Sequence, residues 1–314
     1  MHLPVPLQRW IRGLPQWAPV ALQQQQAVQV RMSSAGREID ITGAVVIAAL
    51  NPLILAIAQS DRTRFAFEDR SADLHFVDLD LGSTVGLLHL KYLRNWDTSG
   101  ITLGLFEVRS GTQFCIRWPF RGLNRWLQNR AMRTKTDSQN FSMPPEAVQN
   151  LMIFYICPQP VVLVSVDDGS HSNLFPMDLI GPVSADRFTL ALRSTSQSVG
   201  TMKSARRVAL ADIPASARGA AYKLGVHHKN VKVDWDQLPF GIRRSPNFAL
   251  PYPEIALRVR EVEILDFDTI GSHTFFVTRI AAELAVAEAP RFFHTSGIYQ
   301  HYRTRSGRPF AVAP

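Results

Sequence analysis

Ser194, Thr195, Ser196 and Ser198 crowd in directly behind Arg193, and Val199, Thr201 and Met202 follow at a spacing that suits an amphipathic helix. A helix start offers unpaired backbone N–H groups and a partial positive charge. Arg193 adds a full charge and the hydroxyls add donors, so the segment reads as a cradle for a phosphate. The plainer alternative makes Ser196 or Ser198 an N-cap and Arg193 a solvated strand end, the commoner arrangement wherever serine precedes a helix. His273 has two readings as well: a hydrogen-bond donor to a planar cofactor, or a histidine bonding loop backbone at a turn. His227 and His228 are adjacent, so on a helix or strand they point apart, and no third metal ligand accompanies them. Lys229 and the Arg243-Arg244 pair are either contacts for a dinucleotide phosphate or solvated loop charges.

A rival signal lies in Arg117 to Arg133, RWPFRGLNRWLQNRAMR, where arginines interleave with Trp118, Phe120 and Trp126. That mixture suits single-stranded nucleic acid or an anionic surface. It equally suits a helix that packs Leu123, Trp126 and Leu127 while Arg121 and Arg125 stay wet.

The elements that must position the phosphate cradle run from Val161 to Pro214. A buried strand enters an Asp-Asp-Gly turn, a second strand starts near Asn173, and a third ends at Arg193. Runs of the same length and order occur earlier: VQVRM, GAVVIAAL, LILAIAQ and LHFVDLDL. Laying Val28 on Val162, a constant offset of 134, carries the halves past each other without a gap as far as Asp78 on Asp212, with Ser60 on Ser194. Further on, Trp96-Asp97 resembles Trp235-Asp236. The pattern predicts an internal duplication whose first copy has lost most of its polar loop residues. Near the C-terminal end, IALRVREVEIL alternates until its phase slips at Glu261, as a β-bulge allows. Strands joined mostly by short turns predict a mainly β (α+β) chain, an antiparallel barrel in tandem with the first copy degenerate. The expected division is residues 1–135, a polar linker over 136–146, and 147–314. No GxGxxG follows a strand, so a Rossmann site is not supported.

In combination these motifs resemble the flavin-reductase-like family of FMN-binding split β-barrels. Asn173 and Pro176 in NLFPM, Ser184 and Asp186 in SADRF, and RSTSQSVGT stand in the family's order. GSHTFF resembles its Gly-Asp-His turn, with Gly271 and His273 in place and Ser272 where Asp is usual. FFHTSGIYQHY resembles its closing strand. The resemblance covers about half the chain. It implies FMN, held by Asn173, Pro176 and Met177, by Ser184, and at the phosphate by Arg193, Ser194, Thr195, Ser196, Ser198 and Thr201. It also implies His273 as the residue with a catalytic role, NAD(P)H as reductant, an electron-acceptor protein as a possible partner, and a site commonly at a dimer interface. A haem or a deazaflavin is a weaker reading of the same barrel.

Composition bounds these readings without choosing among them. The 314 residues include 46% hydrophobic and 19% charged residues, and 34 basic against 26 acidic side chains give a net charge of +8. That field draws anionic ligands of many kinds. Cys115 and Cys157 lie far apart with no metal-ligand spacing, so neither a disulfide nor a zinc site is expected. No apolar run reaches a membrane span and the N-terminal stretch does not read as a secretory signal, which predicts a cytoplasmic protein; the homodimer is what the family resemblance implies.

Overall fold

The computed structural model describes residues 15–23, 27–60, 62–63, 67, 69–116, 122, 126–127, 130, 143–230 and 232–314. Strands dominate. The first half holds β1 (Trp17–Leu22), β2 (Val28–Ser34), β3 (Arg37–Asp40), β4 (Val45–Leu50), β5 (Leu53–Ala58), β6 (Ser71–Asp78), β7 (Ser83–Thr98) and β8 (Ile101–Gln113). Next come α1 (Pro145–Phe154), β9 (Gln159–Pro160), β10 (Val162–Asp167), β11 (Ser172–Met177), β12 (Ile180–Pro182), β13 (Arg187–Arg193), α2 (Ser198–Ala205) and β14 (Arg207–Asp212). The chain ends with α3 (Arg218–Leu224), β15 (Ile242–Arg244), β16 (Pro251–Pro253), β17 (Arg258–Ile270), β18 (His273–Ala285), β19 (Arg291–Ser296), α4 (Gly297–Arg305) and β20 (Ala311–Val312).

Two seven-stranded antiparallel sheets carry the architecture, one in the order β3-β2-β6-β7-β8-β5-β4 and the other β11-β10-β14-β17-β18-β13-β12. Ranked along each half, the strands follow the same order. The registers agree too: Val28 pairs with Asp78 in the first sheet and Val162 with Asp212 in the second, the positions that the offset of 134 superposes. The duplication is therefore present in the strand pairing itself. The resemblance between Trp96-Asp97 and Trp235-Asp236 does not survive. Trp96 lies in β7, whereas Trp235 opens a 3-10 turn outside the sheet, in an insertion between β14 and β17. The counterpart of β7 in the second sheet is β17, and its predicted phase slip is a register shift between Glu261 and Val262.

Alternation decides which way each strand faces. In β4 and β5, Val45, Ile47, Leu53, Leu55 and Ile57 point into the first barrel, while Val46, Ala48, Ile54 and Ala56 join a different cluster. That second cluster also contains Ala191 of β13 and Phe275 and Val277 of β18, so it is the contact between the two halves. Strands covered on both faces read as unbroken apolar runs, which explains GAVVIAAL and LILAIAQ. Small residues let the backbones approach: a Cβ on Gly181 would lie 2.6 Å from Val46 Cγ1. Polar contacts border the apolar patch, with Thr98 donating to Asp266 at 2.7 Å and Arg94 paired with Asp268.

The halves also exchange pieces across the expected boundary. β1 pairs with β19 and β20 in a four-stranded sheet, joining the start of the chain to its end. Helix α1, just past the linker, packs Leu151, Met152, Ile153 and Phe154 into the core of the first barrel. Gly86 and Gly111 make room for it, since a Cβ at either would lie within 3 Å of Ile153 or Ile156. The expected cut at 136–146 therefore does not separate two independent cores. Among the described residues no helix is long and apolar enough to cross a membrane.

Candidate functional site

The segment expected to hold a phosphate spans the end of β13, the turn after it and the start of α2. β13 delivers Arg193 to the sheet end, where it is half-buried and stands opposite His273 of β18. Burial lowers the Arg193 pKa below its ordinary value, the electrostatic condition that a bound anion relieves. The chain then turns through Ser194 and Thr195, both exposed, and enters α2. The N-cap Gln197 makes no side-chain capping bond. Val199 and Met202 fix the helix by packing into the second barrel.

The other residues of the expected site divide by location. Ser198 and Thr201 are buried on the inner side of α2. Asn173, also buried, uses its amide nitrogen to reach Ser198 Oγ at 2.9 Å, the His227 carbonyl at 2.8 Å and the Asn230 carbonyl at 3.1 Å. These bonds lash α2 and the 3-10 turn after α3 onto β11. The Asn173 amide is spent within the fold. Ser196 accepts through its carbonyl from Val199 N–H in the turn that starts the helix. Met177 lies in the barrel core and Pro176 on β11 is half-buried. Ser184 is not gathered with these groups: it lies before the opposite end of β13, exposed, with its hydroxyl donating to Asp186 at 3.0 Å. The structure thus brings Arg193, Ser194 and Thr195 together at the surface, with Ser196 behind them.

His273 is almost fully enclosed, 1% exposed, where the two halves meet. Its Nδ1 lies 2.8 Å from Ser272 Oγ and accepts from Leu50 N–H at 3.5 Å. Burial, and secondarily the Arg193 charge, lowers its pKa to about 4, so the ring is neutral at pH 7. The turn Gly271-Ser272 lies against Asn51-Pro52 of the first half: Ser272 N–H donates to the Asn51 carbonyl at 3.0 Å and Asn51 N–H to Ser272 Oγ at 3.1 Å. The contact of Asn51 with Ser272 escapes sequence reasoning because an Asn-Pro pair reads only as a break between strands.

Of the basic-aromatic segment 117–133, only Gly122, Trp126, Leu127 and Arg130 are described. Trp126 is 56% exposed with the Arg130 guanidinium 5.7 Å from its ring centre, so that tryptophan is not packed as expected. Arg121, Leu123 and Arg125 lie outside the described residues, as do the Lys229 and His228 side chains. Among the described residues no group of three metal-ligating side chains converges.

Comparison with solved structures returns flavin proteins. About half of this chain is similar to them. An FMN-binding protein from Thermus thermophilus with bound p-hydroxybenzaldehyde is 26% identical, over 41% of this chain and 72% of that one, with a TM-score of 0.37. The NADH:FAD oxidoreductase of Streptomyces globisporus is 18% identical over 50% of this chain and 93% of its own, with a TM-score of 0.43. Flavoredoxin from Methanosarcina acetivorans is 15% identical over 46% and 75%, with a TM-score of 0.39. No family model matches the chain, and no curated protein matches it.

Proposed function

We propose that the chain is a flavin-related oxidoreductase whose second half binds FMN, with the phosphate at the turn from Arg193 to the start of α2. The observation that carries this reading is the grouping at one sheet end of a half-buried guanidinium, the exposed residues Ser194 and Thr195, with Ser194 Oγ 3.2 Å from Thr274 Oγ1, and a helix start whose N-cap residue makes no side-chain capping bond. That donor set fits a phosphate monoester, since charge-assisted hydrogen bonds to such a group are the stronger kind. The order of motifs from Asn173 to His273 supports the choice of a flavin over other phosphates. In this reading Arg193, Ser194 and Thr195 hold the phosphate. Asn173, Ser198 and Thr201 keep the helix start where it must be, and His273 fixes β18 beside Arg193.

A flavin bound there supplies the redox chemistry, while the protein binds, orients and shields it. NADH or NADPH is the proposed electron source, with an electron-acceptor protein as the proposed partner. Titration of the purified chain with FMN and with riboflavin tests the assignment. Arg193→Ala combined with Thr195→Ala is expected to weaken FMN roughly tenfold to a hundredfold and to leave riboflavin almost unchanged. Equal losses for both ligands would refute the phosphate site, and no flavin binding at all would refute the whole reading. Anaerobic mixing of the FMN-loaded chain with NADH and NADPH then shows whether the flavin absorbance bleaches.

A further inference from the structure

His294 lies on β19, inside the four-stranded sheet that joins the two ends of the chain, and both of its ring nitrogens are engaged. Nδ1 is 2.8 Å from Asp178 Oδ2 and Nε2 is 3.1 Å from Tyr222 Oη. Asp178 comes from the short link between β11 and β12, and Tyr222 from α3, so three distant segments converge. Asp178 is half-buried. Burial works against its charge, but the hydrogen bond from His294, the charge of that ring when protonated, and the hydrogen bond from Tyr155 outweigh it and hold the carboxyl below its ordinary value. Tyr155, enclosed beneath, is pushed well above the ordinary tyrosine range by burial and by Asp178, so it stays protonated and donates. On the outer side Tyr222 is 51% exposed, and its ring lies nearly parallel to the imidazole, 16° and 5.8 Å between centres. Trp17 of β1, 36% exposed, has its ring 6.3 Å from the same imidazole. Arg218, one turn before Tyr222 on α3, is the charged neighbour on that side.

The direction of the protons follows from the carboxylate. An ionised Asp178 only accepts, so the hydrogen of a neutral His294 is on Nδ1 and Nε2 carries a lone pair. Tyr222 must then donate its O–H inward to Nε2. Its outward face is left as an acceptor, and the exposed Trp17 ring contacts the same imidazole. A charge relay buried in a core would stabilise the fold alone; this one ends at solvent.

The geometry points to Tyr222, His294 and Asp178 as a proton-transfer site at which the Tyr222 hydroxyl takes a proton from a planar phenolic or enolic substrate lying against Trp17. The substrate O–H bond breaks and its proton passes to Tyr222 Oη, while the Tyr222 proton passes to His294 Nε2. The products are an aryloxide or enolate and an imidazolium paired with Asp178, with no change in electron count. Tyr222 is the catalytic residue; His294 relays the proton and Asp178 is a positioning residue. The site does not depend on flavin binding.

The test uses p-nitrophenol, whose neutral and ionised forms differ in colour, added to the purified full chain. Calorimetry reports binding and absorbance reports ionisation. Bound dye is expected to turn to the phenolate at a pH about one unit below that of free dye. Tyr222→Phe, a change at an exposed position, is expected to bind dye and lose that shift. Asp178→Asn is expected to do the same, because the imidazolium then lacks its partner. Absence of dye binding to the unaltered chain, binding without the shift, or a shift that persists in Tyr222→Phe would overturn the proposal. If Asp178→Asn fails to fold, Tyr222→Phe decides alone.

Discussion

Neutral at pH 7 and enclosed by both halves, His273 makes the stability of the molecule depend on acidity. Its pKa is about 4 in the folded chain, lowered by burial and then by Arg193, against about 6.5 when unfolded. Between these values the unfolded chain binds the proton and the folded chain does not, so stability falls as pH drops from 6.5 to 4 and is complete above that window. The loss from this residue is roughly 3 kcal/mol at the bottom of the window. Asn can place an oxygen where Nδ1 accepts from Leu50, without a titrating ring. His273→Asn is therefore expected to lower stability at pH 7 but to flatten its decline toward pH 4. Urea unfolding of both proteins at pH 7 and pH 4.5 checks this, and parallel pH profiles would show that other groups set the acid sensitivity. The grouping of Arg193, Ser194 and Thr195, the residues proposed for the phosphate, can be read in the sequence because they are contiguous. The His294 relay cannot, since its members are separated by 116 and 72 positions and only folding brings them together.

At the scale of elements, the turn between β17 and β18 concentrates two demands on one residue. Gly271 has φ +52°, and a Cβ there would lie 2.7 Å from the Asn51 carbonyl oxygen. Gly271→Ala is expected to cost roughly 2 kcal/mol or more, combining left-handed strain with displacement of the neighbouring turn. Gly307 has φ +72°, but a methyl group there would meet nothing within 4 Å. Gly307→Ala should cost about 1 kcal/mol, and the difference between the two variants in chemical denaturation isolates the contact with Asn51. Strand order and register were readable from Val28 to Asp78 because each side chain there alternates between fixed surroundings. The match failed at Trp235 because a stretch with no counterpart in the first half separates β14 from β17, and similarity of two aromatic-acid pairs does not know about strand pairing. The pairing of β1 with β19 was invisible for a different reason: it joins the chain's two ends, and loop closure leaves no local trace.

The whole molecule pairs two barrels across an apolar face inside one chain. Val46, Ala48 and Ala56 lie on one side and Ala191, Phe275 and Val277 on the other. The homodimer implied by the family resemblance would supply such a face from two copies, so a second copy is not needed to bury it here. Light scattering at micromolar concentration is expected to give the mass of one chain. A stable dimer would require a further contact surface. A fragment covering residues 143–314 is expected to aggregate or self-associate, because it lacks β1 and uncovers the face that Val46 and Ala48 occupy; a well-behaved monomeric fragment would contradict the shared-core description.

Gly181, with Val46 pressed against its backbone, has a consequence for how this arrangement can change. The position that matches it in the first half by the offset is Ile47. In an assembly of two identical chains, a glycine at one such place would bring a glycine at its mate. Joined in one polypeptide, the copies are free of that rule. A substitution touches one side only, and the pair can keep a ligand turn on one barrel while turning the other into a support. The repeat survives in the strand order and has been surrendered, residue by residue, in the surfaces that meet.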